Sequence, residues 1–301
     1  YGEIEGVKGK DNYLPHCLGH EACAKVILTG LGVQKVKKND LVVLHWMKSQ
    51  GHDAGGIKYE SQDYKKKINA GPITTFSEYS IVSENRLTRV PKNKYNLKNL
   101  PPMGCSLSVA ISTLEKIVNV RVGKKILIVG GGAIGLPMIH YCNKILLSNI
   151  DVLEVRSKAI KKCKIFGATR VYNDIKNSNL IIKLKNNFYD YIVDTTGSSK
   201  ILSKILSYPT KGKIALVGVP RFNQNLTINT LKINYGLKLL GSYGGGFAPD
   251  EDLIRYLNFF QKTKFAFEKY IDRTYFLKNI NKLVQDYKNQ KIFGKALIKI
   301  N

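Results

Sequence analysis

Short apolar runs set off by Gly, Pro and Asn-rich turns fill the first part of the chain. Residues 24–28, 41–44 and 76–82 read as strands, so residues 1–95 are predicted to be mostly β. From Val109 the pattern changes to strands alternating with helices. A helix is expected over 109–118, a strand from Lys125, and helices at 136–147, 158–166 and 201–206. Strands are expected at 150–155, 170–172, 189–194 and 214–219, with a last one at 237–241. Such alternation predicts a doubly wound parallel sheet. Residues 251–262 form an amphipathic helical pattern, and 265–301 return to short strands around a helix at 280–288. The expected division is 1–107, 108–243 and 244–301, the first and last parts forming one domain around the α/β part.

The stretch 125–135, KILIVGGGAIG, is the most specific local feature. Ile126, Leu127, Ile128 and Val129 have the continuous apolar character of a strand buried on both faces. Gly130, Gly132 and Gly135 fit G-x-G-x-x-G, with Ala133 and Ile134 between. One glycine makes the tight turn, one lets backbone approach a pyrophosphate, and one lets the helix sit close on the strand. The following helix aims its open N–H groups and positive dipole end at the phosphate. Glu154, nineteen residues past Gly135, ends the next strand, where a carboxylate can accept from a ribose hydroxyl. It favours NAD, because a carboxylate repels a 2′-phosphate. Arg156, two residues on, can stack on adenine or meet a 2′-phosphate. The position of the acid outweighs it, so NAD is expected ahead of NADP.

Composition narrows the class. The chain has 301 residues, 44% of them hydrophobic, enough for one or two packed domains. No apolar run approaches the ~20 residues that span a bilayer, and no signal peptide is visible, so no membrane partner is expected. Five cysteines (Cys17, Cys23, Cys105, Cys142, Cys163) without a regular framework fit free thiols in a cytoplasmic protein. The net charge of +26 is mostly Lys spread along the chain. No Arg-rich helix or aromatic-and-basic strand accompanies it, so a nucleic-acid partner is not expected.

Further segments carry a resemblance. Leu14 to Val26 reads LPHCLGHEACAKV, including Gly19-His20-Glu21, and Asn39-Asp40-Leu41-Val42 forms a turn into a strand. Thr75-Phe76-Ser77-Glu78-Tyr79, Pro102-Met103-Gly104-Cys105 and Val217-Gly218-Val219-Pro220 follow in order. Together with the glycine segment these resemble the zinc-dependent medium-chain alcohol dehydrogenase family, from about residue 14 onward. The resemblance implies a GroES-like β-barrel catalytic domain joined to a Rossmann domain. It implies one catalytic zinc, with His20 and Cys105 as ligands and Glu21 as the acid beside the metal. Dinucleotide contacts would come from Thr196, Val217, Gly218 and Val219 besides Gly130, Gly132, Ala133, Ile134, Gly135, Glu154 and Arg156. It also implies a homodimer, pairing through edge strands near residues 222–229.

The sequence departs from that family in several places. The first cysteine ligand falls upstream of Tyr1, so the ligand set is incomplete as given and an N-terminal segment is expected to be missing. Val109 stands where the family has a threonine against the nicotinamide. The loop 45–69 contains no cysteine, so no structural zinc is expected. A cationic phosphate contact expected near Ile298 has only Lys295 and Lys299 close by. Cys17 reads as an apolar barrel residue, while His45, Trp46 and His52 read as loop residues.

Leu14-Pro15-His16, Val43-Leu44-His45-Trp46, Asn69-Ala70-Gly71 and Val82-Ser83-Glu84-Asn85-Arg86 resemble a bacterial subgroup that acts in sugar-derived surface-polysaccharide pathways. The expected activity is therefore hydride transfer between NAD and an alcohol, polyol or sugar-derived hydroxyl. A zinc-free reductase of the same superfamily and a non-catalytic dinucleotide-binding protein are the alternatives.

Overall fold

In the computed structural model, residues 2, 4–7, 9–11, 13–63 and 65–300 are described. Tyr1, from which the expectation of a missing segment starts, lies outside them. The chain divides into two compact units. One comprises Asp11–Ser108, Phe247–Phe267 and Ile271–Asn301, and the other Tyr1–Lys10, Val109–Gly246 and Glu268–Tyr270.

The first unit opens with β1 (Ala22–Lys25) and β2 (Leu41–Leu44), which pair antiparallel. A hairpin follows, β3 (Ile57–Ser61) and β4 (Lys66–Gly71). Then β5 (Leu87–Arg89) pairs antiparallel with β2. Val36, Val42, Leu44, Ile73 and Leu87 form a core cluster here, each burial contributing about 1.5–3 kcal/mol. The strand expected at 76–82 does not form. Thr75 and Phe76 instead give their N–H groups to the Leu18 carbonyl, and bends follow. The loops between β1 and β3 are gathered by Glu84, whose carboxylate accepts from the backbone N–H groups of Gln34 (2.7 Å), Lys35 (2.5 Å) and His52 (2.9 Å). Helix α1 (Ser106–Ser112) starts in this unit and runs into a π-helical turn, Thr113–Val118.

The second unit is the expected doubly wound sheet. Its strands are β6 (Lys125–Val129), β7 (Asn149–Leu153), β8 (Arg170–Tyr172), β9 (Tyr191–Asp194), β10 (Lys213–Leu216) and β11 (Lys238–Gly241). All pair parallel in the order β11-β10-β9-β6-β7-β8. Helices α2 (Gly135–Lys144), α3 (Ser157–Ile165), α4 (Ser178–Lys185), α5 (Ser199–Leu206) and α6 (Leu231–Asn234) alternate with them. Ile126, Leu127, Ile128 and Val129 are fully buried, as their continuous apolar run requires. The order reverses between β6 and β9, and ligands of such sheets bind outside the carboxyl ends of the strands at that reversal. A charged group sits in the core of this sheet: Asp151 on β7 accepts from Lys183 Nζ and the Tyr189 hydroxyl, each at 2.6 Å, and from the Tyr172 hydroxyl at 3.2 Å.

Two expectations are corrected. Residues 222–229 form a turn and irregular backbone rather than an edge strand, and the sheet's edges are β11 and β8. The opening segment was expected with the barrel part, but the Phe222 N–H donates to the Val7 carbonyl and Gly9 lies against the Phe222 ring, which ties it to the sheet unit.

The chain then returns to the first unit with α7 (Pro249–Lys262), contributes Glu268–Tyr270 of α8 (Phe267–Tyr270) to the second, and ends in the first with β12 (Ile271–Phe276), α9 (Ile280–Lys288) and β13 (Lys295–Lys299).

Candidate metal and dinucleotide sites

His20 and Glu21 immediately precede β1, and Cys105 sits between the turn Pro101–Gly104 and α1. Local sterics bring them together. A Cβ on Gly104 would stand 2.1 Å from the Leu44 carbonyl oxygen and 3.5 Å from Glu21 Cα, so only glycine lets this turn lie against β2 and the residue before β1. The result is a cluster of one imidazole nitrogen, one thiol sulfur and one carboxylate oxygen, all within 4.8 Å of one another and each half-buried. Among the described residues it is the single group of three such donors. Imidazole and thiolate are zinc's preferred donors, and a tetrahedral ion with ligands at about 2.0–2.3 Å spans donor atoms of this spacing. The donor set therefore fits zinc.

The Glu21 carboxylate is held on both oxygens. Oε1 accepts from the Ser106 N–H at 2.9 Å and Oε2 from Lys295 Nζ at 2.5 Å. Burial raises its pKa, but the charges of Lys295 and His20 and these hydrogen bonds outweigh that and hold it below the usual carboxylate range. Lys295, one of the two lysines that flank Ile298, where the family resemblance puts a phosphate contact, pairs with Glu21 in the structure.

Cys17 lies outside the cluster, where Thr74 Oγ1 donates to its sulfur at 3.0 Å. His45 is fully buried, with Nδ1 2.7 Å from the Met47 carbonyl and Nε2 3.0 Å from Thr88 Oγ1. Desolvation lowers its pKa to about 4.

In the sheet unit, Gly130, Gly132, Ala133 and Ile134 form the turn from β6 into α2. At the first position of α2, a Cβ on Gly135 would stand 1.9 Å from the Gly130 carbonyl oxygen, so the turn tolerates no side chain there. Across the reversal point, Thr195 donates to the Val129 carbonyl from both its N–H (2.9 Å) and its hydroxyl (2.8 Å). Asp194 is fully buried and accepts from Thr196 N–H, Thr196 Oγ1 and Gly197 N–H, which fixes the loop carrying Thr196. Val217 and Gly218 both give their N–H groups to the Asp194 carbonyl. Thr196, Val217, Gly218 and Val219 thus gather with the glycine turn at the carboxyl ends of β6, β9 and β10. A narrow turn that excludes side chains, opening into a helix N-terminus, fits a dinucleotide pyrophosphate.

Glu154 follows β7 and Arg156 caps α3. They form a forked ion pair, Nε to Oε1 at 2.9 Å and Nη2 to Oε2 at 2.6 Å. Burial pushes the Glu154 pKa up, and the Arg156 contacts reverse that and bring it down.

Tyr270 escaped the sequence reading. It is fully buried and its hydroxyl donates to the Ala133 carbonyl at 2.9 Å, holding the glycine turn from 137 residues away. Nothing local in the sequence signals that contact. The partner of Lys295, Glu21, is 274 residues distant, so nothing local signals that pair either.

Comparison with known proteins agrees with this fold. The alcohol dehydrogenase GroES-like domain family matches residues 2–92, and the zinc-binding dehydrogenase family matches residues 133–262. A probable alcohol dehydrogenase of Pseudomonas sp is 26% identical over 265 residues, covering 77% of this chain and 82% of its own length. The alcohol dehydrogenase class-2 isozyme 2 of Oryctolagus cuniculus is 25% identical over 322 residues, covering 96% and 84%. The crystal structure of benzyl alcohol dehydrogenase from Acinetobacter calcoaceticus shares the fold, with a TM-score of 0.80 over 95% of this chain and 84% of that one at 21% identity. With a GroES-like domain matched at residues 2–92, a zinc-binding dehydrogenase domain matched at 133–262 and a Rossmann-type parallel sheet, this chain is a member of the zinc-dependent medium-chain dehydrogenase family.

Proposed function

We propose that the chain is a zinc- and nicotinamide-dinucleotide-dependent oxidoreductase acting on the CH–OH group of an alcohol, polyol or sugar-derived hydroxyl. The observation that carries this reading is the His20–Glu21–Cys105 cluster, with donor atoms within 4.8 Å, in a chain that also folds a complete glycine turn. His20 and Cys105 would hold the metal and Glu21 would stand beside it as the oxygen donor. Bound there, zinc supplies Lewis acidity that lowers the pKa of a hydroxyl group, and the dinucleotide supplies the hydride carrier.

The chain's own residues prepare both halves. Lys295 and the Ser106 N–H fix the Glu21 carboxylate, so its negative charge stays next to His20 and Cys105. The Gly130–Gly135 turn, held by Tyr270, would receive the pyrophosphate. The loops of Thr196 and Val217–Val219 would orient the rest of the dinucleotide.

A homodimer in the cytoplasm belongs to the same proposal. Leu231, Ile233 and Tyr235 are exposed on the segment that leads into the edge strand β11, which supports pairing there. All five cysteines are free thiols, and no described helix is long and apolar enough to cross a membrane.

Metal analysis tests the reading. The purified chain should carry zinc near one equivalent, and His20→Ala and Cys105→Ser should each lose it while keeping their far-ultraviolet circular dichroism. Zinc at trace level in the folded wild type, or retained in both variants, overturns it.

A further inference from the structure

The acid at the end of β7 is the group that would select between dinucleotides, and its surroundings are unusual. An ionised carboxylate offers about four lone-pair positions. At Glu154 four donors occupy them. Oε1 accepts from the Arg156 N–H at 2.8 Å and from Arg156 Nε at 2.9 Å. Oε2 accepts from the Gly131 N–H at 2.9 Å and from Arg156 Nη2 at 2.6 Å. The Glu154 side chain is 3% exposed, while that of Arg156 is 31% exposed.

A ribose 2′-hydroxyl that approached Glu154 would need a free acceptor, and none is left unless Arg156 moves away. What the surface presents at this position is the guanidinium. It has donors only, stays charged at every accessible pH, and its planar fork matches phosphate oxygens. The buried carboxylate behind it fixes its direction, and the pair carries no net charge to repel a 2′-phosphate.

We infer that Arg156, held in place by Glu154, reads the adenosine ribose, and that the chain binds the 2′-phosphorylated dinucleotide at least as tightly as the unphosphorylated one. Glu154 is then a positioning residue rather than the ribose acceptor. The inference rests on the dinucleotide reading proposed above and names the form of cofactor that the same site takes. The same substitution should affect the two dinucleotides in opposite directions. Removing the guanidinium takes away the phosphate's partner and uncovers the acceptor that the bare ribose needs.

The test is calorimetric titration of the full chain with NADPH and with NADH, repeated with adenosine 2′,5′-bisphosphate and AMP as half-cofactor probes. In the wild type NADPH should bind as tightly as NADH or more tightly, and the bisphosphate more tightly than AMP. In Arg156→Ala, NADPH should weaken by about tenfold or more, as expected for losing a charged hydrogen-bonding partner. NADH should hold or tighten. Arg156→Lys, which keeps the charge and loses the fork, should fall between. Wild-type NADH binding tenfold tighter than NADPH, or equal weakening of both in Arg156→Ala, overturns the inference and leaves the dinucleotide reading standing. Failure of both dinucleotides to bind overturns the two together.

Discussion

Replacing Gly135 by alanine should disable dinucleotide binding through geometry alone. The added Cβ would stand 1.9 Å from the Gly130 carbonyl oxygen and 3.0 Å from its carbon. Both atoms are backbone, so no side chain can swing aside, and the turn must open by more than about 1 Å to reach a tolerable contact. Overpacking of this kind costs about 1–3 kcal/mol. Either the fold keeps the strain and loses that much stability, or the turn relaxes away from the shape that receives the pyrophosphate. In the second case binding must restore the strained turn, and affinity falls by about five- to 150-fold. Gly241→Ala is the matched control, because a Cβ there meets nothing within 4 Å. It should be neutral or slightly stabilising, since alanine restricts the unfolded chain. Calorimetric titration with NADPH and NADH reads affinity, and urea unfolding reads stability. If Gly135→Ala matches Gly241→Ala in both measurements, the close approach at the glycine turn does not hold and the reasoning fails.

Three further outcomes are expected. Lys183→Met should destabilise the fold by about 3–5 kcal/mol in urea unfolding, because it strands the buried Asp151 carboxylate without its cation; a loss below about 1 kcal/mol would contradict the core network. His45 and His140 both have pKa values lowered to about 4 by burial. The unfolded chain takes up each proton near 6.5 and the folded chain only near 4, so stability should fall as pH drops through that window, by about 2 kcal/mol per histidine by pH 5; His140→Leu should flatten the profile by that amount, and an unchanged slope would refute the assignment. Tyr270→Phe removes one hydrogen bond to the glycine turn and should weaken NADPH binding severalfold while zinc content stays at the wild-type level; parallel loss of zinc would point to general disruption instead.

How far the sequence reached follows from the range of the forces involved. The parallel strands are legible because burial on both faces favours continuous apolar runs, as at Ile126–Val129 and Tyr191–Val193. The hairpin of β3 and β4 does not stand out in the sequence because IKYES alternates over only five residues and KKINAG opens on two exposed lysines without alternation. Residues 76–82 have strand-like composition, yet the Leu18 carbonyl captures Thr75 and Phe76 and turns the chain. His20, Glu21 and Cys105 were identifiable as a set only through family motifs, since 84 residues separate Glu21 from Cys105 and nothing local joins them. Glu154 and Arg156 were both visible, but the saturation of the carboxylate depends on the Gly131 N–H and on a rotamer of Arg156, which the sequence does not encode as a pattern.

The measurement that bears most directly on the whole account is alcohol-dependent reduction of the dinucleotide. The zinc-loaded full chain, given oxidised NAD or NADP and a panel of primary alcohols, polyols and sugar alcohols, should form reduced dinucleotide with at least one of them, and His20→Ala should not. A folded chain that binds both zinc and dinucleotide but turns over no member of the panel would contradict the proposed oxidoreductase activity.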